Sequence, residues 1–69
     1  MKTIKRADIK DCPKTAEYGQ LSKDGTFIQM FYRVKDGVLQ YQSEISGWHR
    51  SSFEDLDELG NLANIAKIE

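Results

Sequence analysis

The chain has 69 residues, of which 39% are hydrophobic and 30% charged, and its formal net charge is −1 at neutral pH. A chain of this length folds as one domain around a small core, and its apolar content is too high for intrinsic disorder. No apolar run approaches the roughly 18 residues of a membrane-spanning helix, and residues 1–6 lack the apolar segment of a signal peptide. A single cysteine, Cys12, and a single histidine, His49, make no disulfide or metal-site spacing, so we expect a cytoplasmic protein without a cofactor.

The charges are distributed unevenly along the chain. Residues 1–14 carry five basic side chains against two acidic ones, whereas residues 51–69 carry five acidic side chains against one basic one. Either the two ends attract each other within the fold, or each faces a partner. The basic segment 1–14 contains the large apolar residues Ile4 and Ile9, and we expect it to be irregular with one short strand or helical turn.

Two Asp-Gly pairs predict β-hairpins, because this dipeptide suits the positive φ angles of a two-residue type I′ turn. Asp24-Gly25 would join strands at about 16–23 and 26–35, and would pair Leu21 with Ile28 and Tyr18 with Phe31. The further pairs of this register are Ser22 with Phe27 and Gln20 with Gln29.

The second pair, Asp36-Gly37, would join the strand at 26–35 to one at 38–45. The register then places Val34 opposite Leu39 and Tyr32 opposite Tyr41, and it gives the strand pair one apolar face. The side chains predicted on this core face are Leu21, Ile28, Met30, Tyr32, Val34, Leu39, Tyr41 and Ile45. A turn at Ser46-Gly47 would add a short strand at 48–51 and place Trp48 beside Ile45 on the same face.

The next segment predicts a helix at 52–60. Ser51 and Glu54 have the spacing of a capping box, and Gly60-Asn61 resembles a C-terminal stop. Phe53, Leu56 and Leu59 form the apolar stripe that would cover the core face of the sheet. Residues 61–69 fit either a helical turn or a short closing strand, and we favour the strand.

The predicted fold is therefore a single α+β domain, with a three- to four-stranded antiparallel meander over 16–51 and one acidic helix packed on one face. Tyr18, Phe27, Phe31 and Arg33 remain on the opposite face. Either the N-terminal segment shields these side chains with Ile4 and Ile9, forming a small barrel, or the face is exposed for binding. We favour shielding.

No arrangement of a nucleophile with a base is visible in the sequence, and we expect no catalytic residues. Aromatic and basic residues alternate around Phe31, Arg33, Trp48 and Arg50, as in small β-domains that bind nucleic acid, but the sequence pI of about 5.8 argues against that function. Protein binding fits better, because aromatic and Arg side chains are typical of interfaces. The expected contacts are Tyr18, Phe27, Phe31 and Arg33, together with an acidic set of Glu54, Asp55, Asp57 and Glu58.

The run FYRVKDGVLQYQSEISGWHRSS resembles small proteins of unknown function from tailed bacteriophages and prophages. The resemblance covers about residues 16–60 and implies a non-enzymatic protein that binds and inhibits a host protein in transcription, restriction or another defence complex. No catalytic residue is carried over from it. A nucleic-acid-binding β-domain and a homodimer through the aromatic face are the alternatives.

Overall fold

A computed structural model describes residues 2–43, 47–53, 55–62 and 64–69. These residues form a six-stranded mixed sheet with the spatial order β1-β6-β2-β3-β4-β5 and one short helix. β1 runs parallel to β6, and the other neighbouring strands are antiparallel. The predicted combination of an antiparallel sheet and one helix is thus correct only in part. The elements are β1 (Lys2–Ile4), β2 (Tyr18–Leu21), β3 (Ile28–Lys35), β4 (Val38–Ser43), β5 (Gly47–Arg50), α1 (Leu56–Leu62) and β6 (Ile65–Ile68).

The hairpin between β3 and β4 has the predicted turn and register. Asp36 and Gly37 both have positive φ angles, 53° and 77°, as a type I′ turn requires. Tyr32 pairs with Tyr41, and Val34 pairs with Leu39. Ile45, which was predicted on the core face, lies outside the described residues.

This turn permits a matched pair of glycine substitutions. We expect Gly37→Ala to lower the free energy of unfolding by about 1–2 kcal/mol, because alanine is strained at a φ of 77°. Gly60→Ala should raise it by about 0.5–1 kcal/mol, because Gly60 lies in α1 and no atom within 4 Å would meet its new Cβ. Urea denaturation followed by circular dichroism measures both. If both substitutions changed the free energy of unfolding equally and in the same direction, the backbone conformations assigned to Gly37 and Gly60 would be wrong.

The pairing of β2 with β3 contains a β-bulge that the sequence does not predict. Leu21 pairs with Ile28 as expected, but Gln20 pairs with Met30, so Gln29 is the extra residue on β3. The bulge shifts the rest of β2 by one position, and Tyr18 lies opposite Tyr32 rather than Phe31. The predicted pairing of Tyr18 with Phe31 is therefore wrong.

The bulge also moves Leu21 and Ile28 off the predicted core face. The Ile28 side chain covers Gly19, where an added Cβ would lie 3.1 Å from Ile28 Cδ1. Gly19 pairs with Phe31 on the face opposite Tyr32. A glycine at this position makes room for Ile28 on that second face.

The loop from β2 to β3 is wider than a two-residue turn because the Asp24 side chain organises it. Its Oδ1 accepts hydrogen bonds from Ser22 Oγ at 2.6 Å, Thr26 Oγ1 at 2.8 Å and Thr26 N at 3.1 Å. The backbone N–H of Ser22 donates to Phe27 O at 2.8 Å and closes the loop. The predicted type I′ turn at Asp24-Gly25 is thus replaced by a loop that side chains hold together.

Hydrogen bonds from the Ser22 hydroxyl first, and then from the Thr26 hydroxyl and amide, lower the pKa of the Asp24 carboxyl. Because the pKa is lowered in the folded state, the ionised carboxylate stabilises the fold at pH values above its unfolded-state pKa. This stabilisation is lost as the pH falls through the folded-state pKa. We therefore expect Asp24→Asn to melt below the wild type at neutral pH and to match it in acid. Thermal melts across that range test this. A constant difference at every pH would contradict the assigned role of the charge.

Pairing between β4 and β5 places Trp48 on the face opposite the predicted one. Tyr41 pairs with His49, Gln42 with Trp48 and Ser43 with Gly47. This register differs from the predicted Ile45–Trp48 pairing by an odd number of residues, which reverses the face of every side chain on β5.

The helix begins later than predicted. Asp55 accepts a hydrogen bond at 2.9 Å from the backbone N–H of Glu58 and is the N-cap of α1. Ser51 instead accepts the N–H of Phe53 at 3.1 Å, and the predicted partner in its capping box, Glu54, lies outside the described residues. The helix continues through Gly60 to Leu62, so Gly60-Asn61 is not its stop.

One face of the sheet, here called the helix face, carries the main core. Tyr32, Leu39, Leu59 and Ile65 are buried there, with Leu59 only 1% exposed. Burial, and secondarily the nearby Tyr41, raises the pKa of the Tyr32 phenol. The side chains packed around this cluster are Tyr18, Met30, Tyr41, Phe53 and Leu56.

Val34 was predicted in this core but is 41% exposed. β2 begins at Tyr18, which lies opposite Tyr32, so no residue of β2 pairs with Val34. The Glu17 carboxylate accepts the Val34 N–H at 2.6 Å, which satisfies a backbone donor where the neighbouring strand is missing.

The C-terminal residues form a strand, as we favoured from the sequence. This strand, β6, is not at an edge but lies inside the sheet. β6 lies between β1 and β2, with Ile4 opposite Ile68 and Gly19 opposite Ala66. Ala66 is 0% exposed and Ile68 is 6% exposed. The two chain ends thus complete the sheet together.

Candidate protein interface

The second face of the sheet is covered in part by residues 5–16, here called the arm. The arm begins with a 3-10 turn at Arg6–Asp8. Its central contact is the half-buried Arg6 guanidinium, which donates to Pro13 O at 2.7 Å and to Ala16 O at 2.6 Å. This side chain closes the arm into a loop over the sheet. We call the covered side the arm face, and its sheet side chains are Leu21, Ile28, Phe31, Arg33, Gln40 and Trp48.

A hollow of about 420 Å³ lies between the arm and the sheet. The predicted shielding of Phe31 is partly realised, because Ile4 and Ile9 line the hollow with it and Phe31 is half-buried. Phe27 stands at the rim and is 58% exposed. β1 and β5 form the two edges of the sheet, so the described strands do not close into the expected barrel.

Beside the hollow, Arg33 and Trp48 form an ordered pair. The Arg33 guanidinium carbon lies 4.5 Å from the centroid of the Trp48 ring, and Arg33 Nε donates to Gln40 Oε1 at 2.7 Å. Trp48 Nε1 donates to Thr15 Oγ1 at 3.1 Å, which joins β5 to the arm. Hydrogen bonds therefore hold a cation–π pair in a single geometry on a half-buried surface.

No family model, curated protein or solved structure matches this chain. The resemblance to phage proteins therefore stays a prediction. None of the helices described here is long and apolar enough to cross a membrane. Within the same described ranges, no three His, Cys, Asp or Glu side chains come together as a metal site.

The structure separates the predicted contact residues. Phe31 and Arg33 share the arm face, and Phe27 lies at its rim. Tyr18 instead packs against the core on the helix face. The described acidic residues Asp55, Asp57 and Glu58 belong to α1 and its N-cap, across the sheet from Arg33, and Glu54 lies outside the described residues. A single flat contact cannot include both sets.

Sequence reasoning missed Trp48 and Thr15 as members of this surface. Trp48 was assigned to the core because the face on which it lies depends on the register between β4 and β5, and that register was predicted incorrectly. Gln40 does follow from the predicted register, which already placed it opposite Arg33. No local pattern brings Thr15 next to Trp48, which is 33 residues away in sequence.

The single cysteine, Cys12, and the single histidine, His49, both have structural contacts. Cys12 Sγ is 3.5 Å from Arg6 Nη1 within the arm. His49 packs against Tyr41 on the helix face, with ring centroids 5.8 Å apart and planes tilted by 33°. They lie on opposite sides of the sheet and do not form a shared site.

Proposed function

We propose that this protein is a non-enzymatic binding protein that occupies a surface of another protein through its arm face. The observation that supports the proposal best is the ordered Arg33–Trp48 pair on the same face as Phe31, with an exposed Phe27 at the other end of β3. Arg, Trp and aromatic side chains are the usual anchors of protein interfaces. Anchors that are already held in one rotamer lose less entropy on binding than free side chains.

The resemblance to phage proteins directs the choice of partner. The described part of the chain has a candidate binding face and no assembled catalytic group. Such a protein would bind a host protein stoichiometrically and inhibit it by occlusion. The arm face can provide that occlusion alone, because Asp55, Asp57 and Glu58 lie on the opposite side of the sheet.

Arg33→Glu should reduce the retention of the partner on the immobilised protein at least about tenfold, because it breaks the cation–π pair and reverses the charge. The measurement is affinity purification from bacterial lysate with quantitative mass spectrometry. Lys67→Glu is the matched control, because it makes the same reversal at an exposed site on β6, opposite Tyr18 on the helix face.

Circular dichroism melts confirm that both variants are folded. Equal loss in the two variants, or retention by Arg33→Glu, would overturn the arm face as the contact surface. Nuclease-sensitive capture that weakens steeply with salt would favour the nucleic-acid alternative instead.

A further inference from the structure

The hollow beneath the arm is shaped and lined like a pocket that holds one side chain of a partner. β1, the arm, the β2–β3 loop and β3 all contribute, and most of the lining is apolar, with Asp8 and Lys10 at the arm side. Its volume of about 420 Å³ is at the lower end of the range for pockets that take a ligand group. The apolar lining consists of Ile4, Ile9, Leu21, Phe27, Ile28 and Phe31.

The exposure of Phe27 is imposed by the backbone around it. Its N–H donates to Ser22 Oγ at 3.3 Å, and its carbonyl accepts the Ser22 N–H at 2.8 Å. Ser22 is itself only 4% exposed and is bonded to Asp24. The backbone of Phe27 is therefore fixed at the rim of the hollow, and the residue lines one wall of it.

The charge on this side of the protein is positive. The arm carries Lys5, Arg6, Lys10 and Lys14 against Asp8 and Asp11, and Arg33 adds to the excess. Arg33 lies two residues beyond Phe31 on β3, about 7 Å along the strand. On the other side of the sheet, Asp55, Asp57 and Glu58 leave α1 and its cap negative.

This distribution selects between the possible occupants of the hollow. Two copies that met arm face to arm face would bring like charges together, which disfavours a symmetric dimer. A partner segment with carboxylates around a large apolar side chain would satisfy the apolar walls and the basic surroundings together.

We propose that the hollow binds a large apolar side chain from an acidic segment of the partner protein, with flanking carboxylates facing Lys10 and Arg33. This inference rests on the proposed function and specifies the chemistry of the partner. The apolar contact supplies most of the affinity, and the charges orient the segment and accelerate its association.

The test uses ¹⁵N-labelled protein and three capped peptides of equal length. The first has a central Phe flanked by Asp and Glu, the second replaces the Phe by Ala, and the third replaces the acids by Lys. We expect the first to bind at least about tenfold more tightly than the others. Its amide shifts should centre on Ile9, Phe27, Ile28 and Phe31, and its affinity should fall as salt rises.

Lys10→Glu should weaken that binding about tenfold, and Lys67→Glu should leave it unchanged. Binding of the Lys peptide with equal affinity, shifts centred on α1, or no binding at millimolar peptide would overturn the proposal. Stronger shifts of the same residues by a single-stranded oligonucleotide would overturn it in favour of nucleic acid.

A captured host protein separates this inference from the proposed function. If Arg33→Glu abolishes capture but Lys10→Glu does not, the arm face stands as the interface and the hollow does not take part. If neither variant affects capture while the acidic peptide binds the hollow, the pocket stands and the proposed interface fails.

Discussion

Leu59→Ala is expected to lower the free energy of unfolding by about 2–5 kcal/mol. Leu59 is 1% exposed and is the residue of α1 that is buried in the core cluster with Tyr32, Leu39 and Ile65. A helix of seven residues is not stable in water alone, so this contact holds it on the sheet. A domain of this size has a total stability of about 5 kcal/mol, and the variant should be largely unfolded at 37 °C.

Urea denaturation followed by Trp48 fluorescence and circular dichroism measures the loss. Asp57→Ala is the matched control, because Asp57 is an exposed position of the same helix and the change should stay within about 0.5 kcal/mol. Comparable stability of Leu59→Ala and Asp57→Ala would mean that α1 does not close the main core.

The part of the fold that the sequence predicts best is the β3–β4 hairpin. Asp36-Gly37 determines a turn type, the turn type determines the register, and the register sorts Tyr32, Leu39 and Tyr41 from Arg33 and Gln40. Each of these steps depends on residues that are close in sequence. That is why local rules are sufficient for this region.

The parts that the sequence does not predict depend on distant residues. β6 has to be placed between β1 and β2, and Ile65–Ile68 carries no mark of its partners beyond its apolar composition. The bulge at Gln29 is favoured because it lets Ile28 cover Gly19 and line the hollow. Both arrangements depend on contacts between residues that are distant in sequence: β6 pairs with β1 and β2, and Ile28 packs on Gly19.

The candidate site shows the same division. Phe31 and Arg33 follow from the correct hairpin, and their shared face was predicted. Tyr18 was assigned to that face because one unrecognised extra residue reverses a whole strand. Trp48 was assigned to the core for a similar reason at the β4–β5 connection. Register errors of an odd number of residues therefore place side chains on the wrong face, and the predicted binding surface changes with them.

The second large effect is expected from Arg6→Ala, which should lower the free energy of unfolding by about 2–3 kcal/mol. The guanidinium donates to two backbone carbonyls, Pro13 O and Ala16 O, at 2.7 and 2.6 Å. Ala16 is fully buried, at 0% exposure, so its carbonyl would lose a charged donor in a place that water reaches poorly. Chemical denaturation gives the change in stability.

The same variant should also alter the proposed interface, because Arg6 holds the arm that carries Ile9, Lys10 and Thr15. Amide hydrogen exchange of residues 9–16 should accelerate more than exchange in β3 and β4, since the arm can open without unfolding of the hairpin. Lys5→Ala, at the exposed neighbouring position, is the control and should leave exchange unchanged. Uniform acceleration across the whole protein would show instead that arm and sheet unfold as one unit. In that case Arg6 would act on the hollow only through global stability, and binding of the acidic peptide would fall in proportion to the folded fraction.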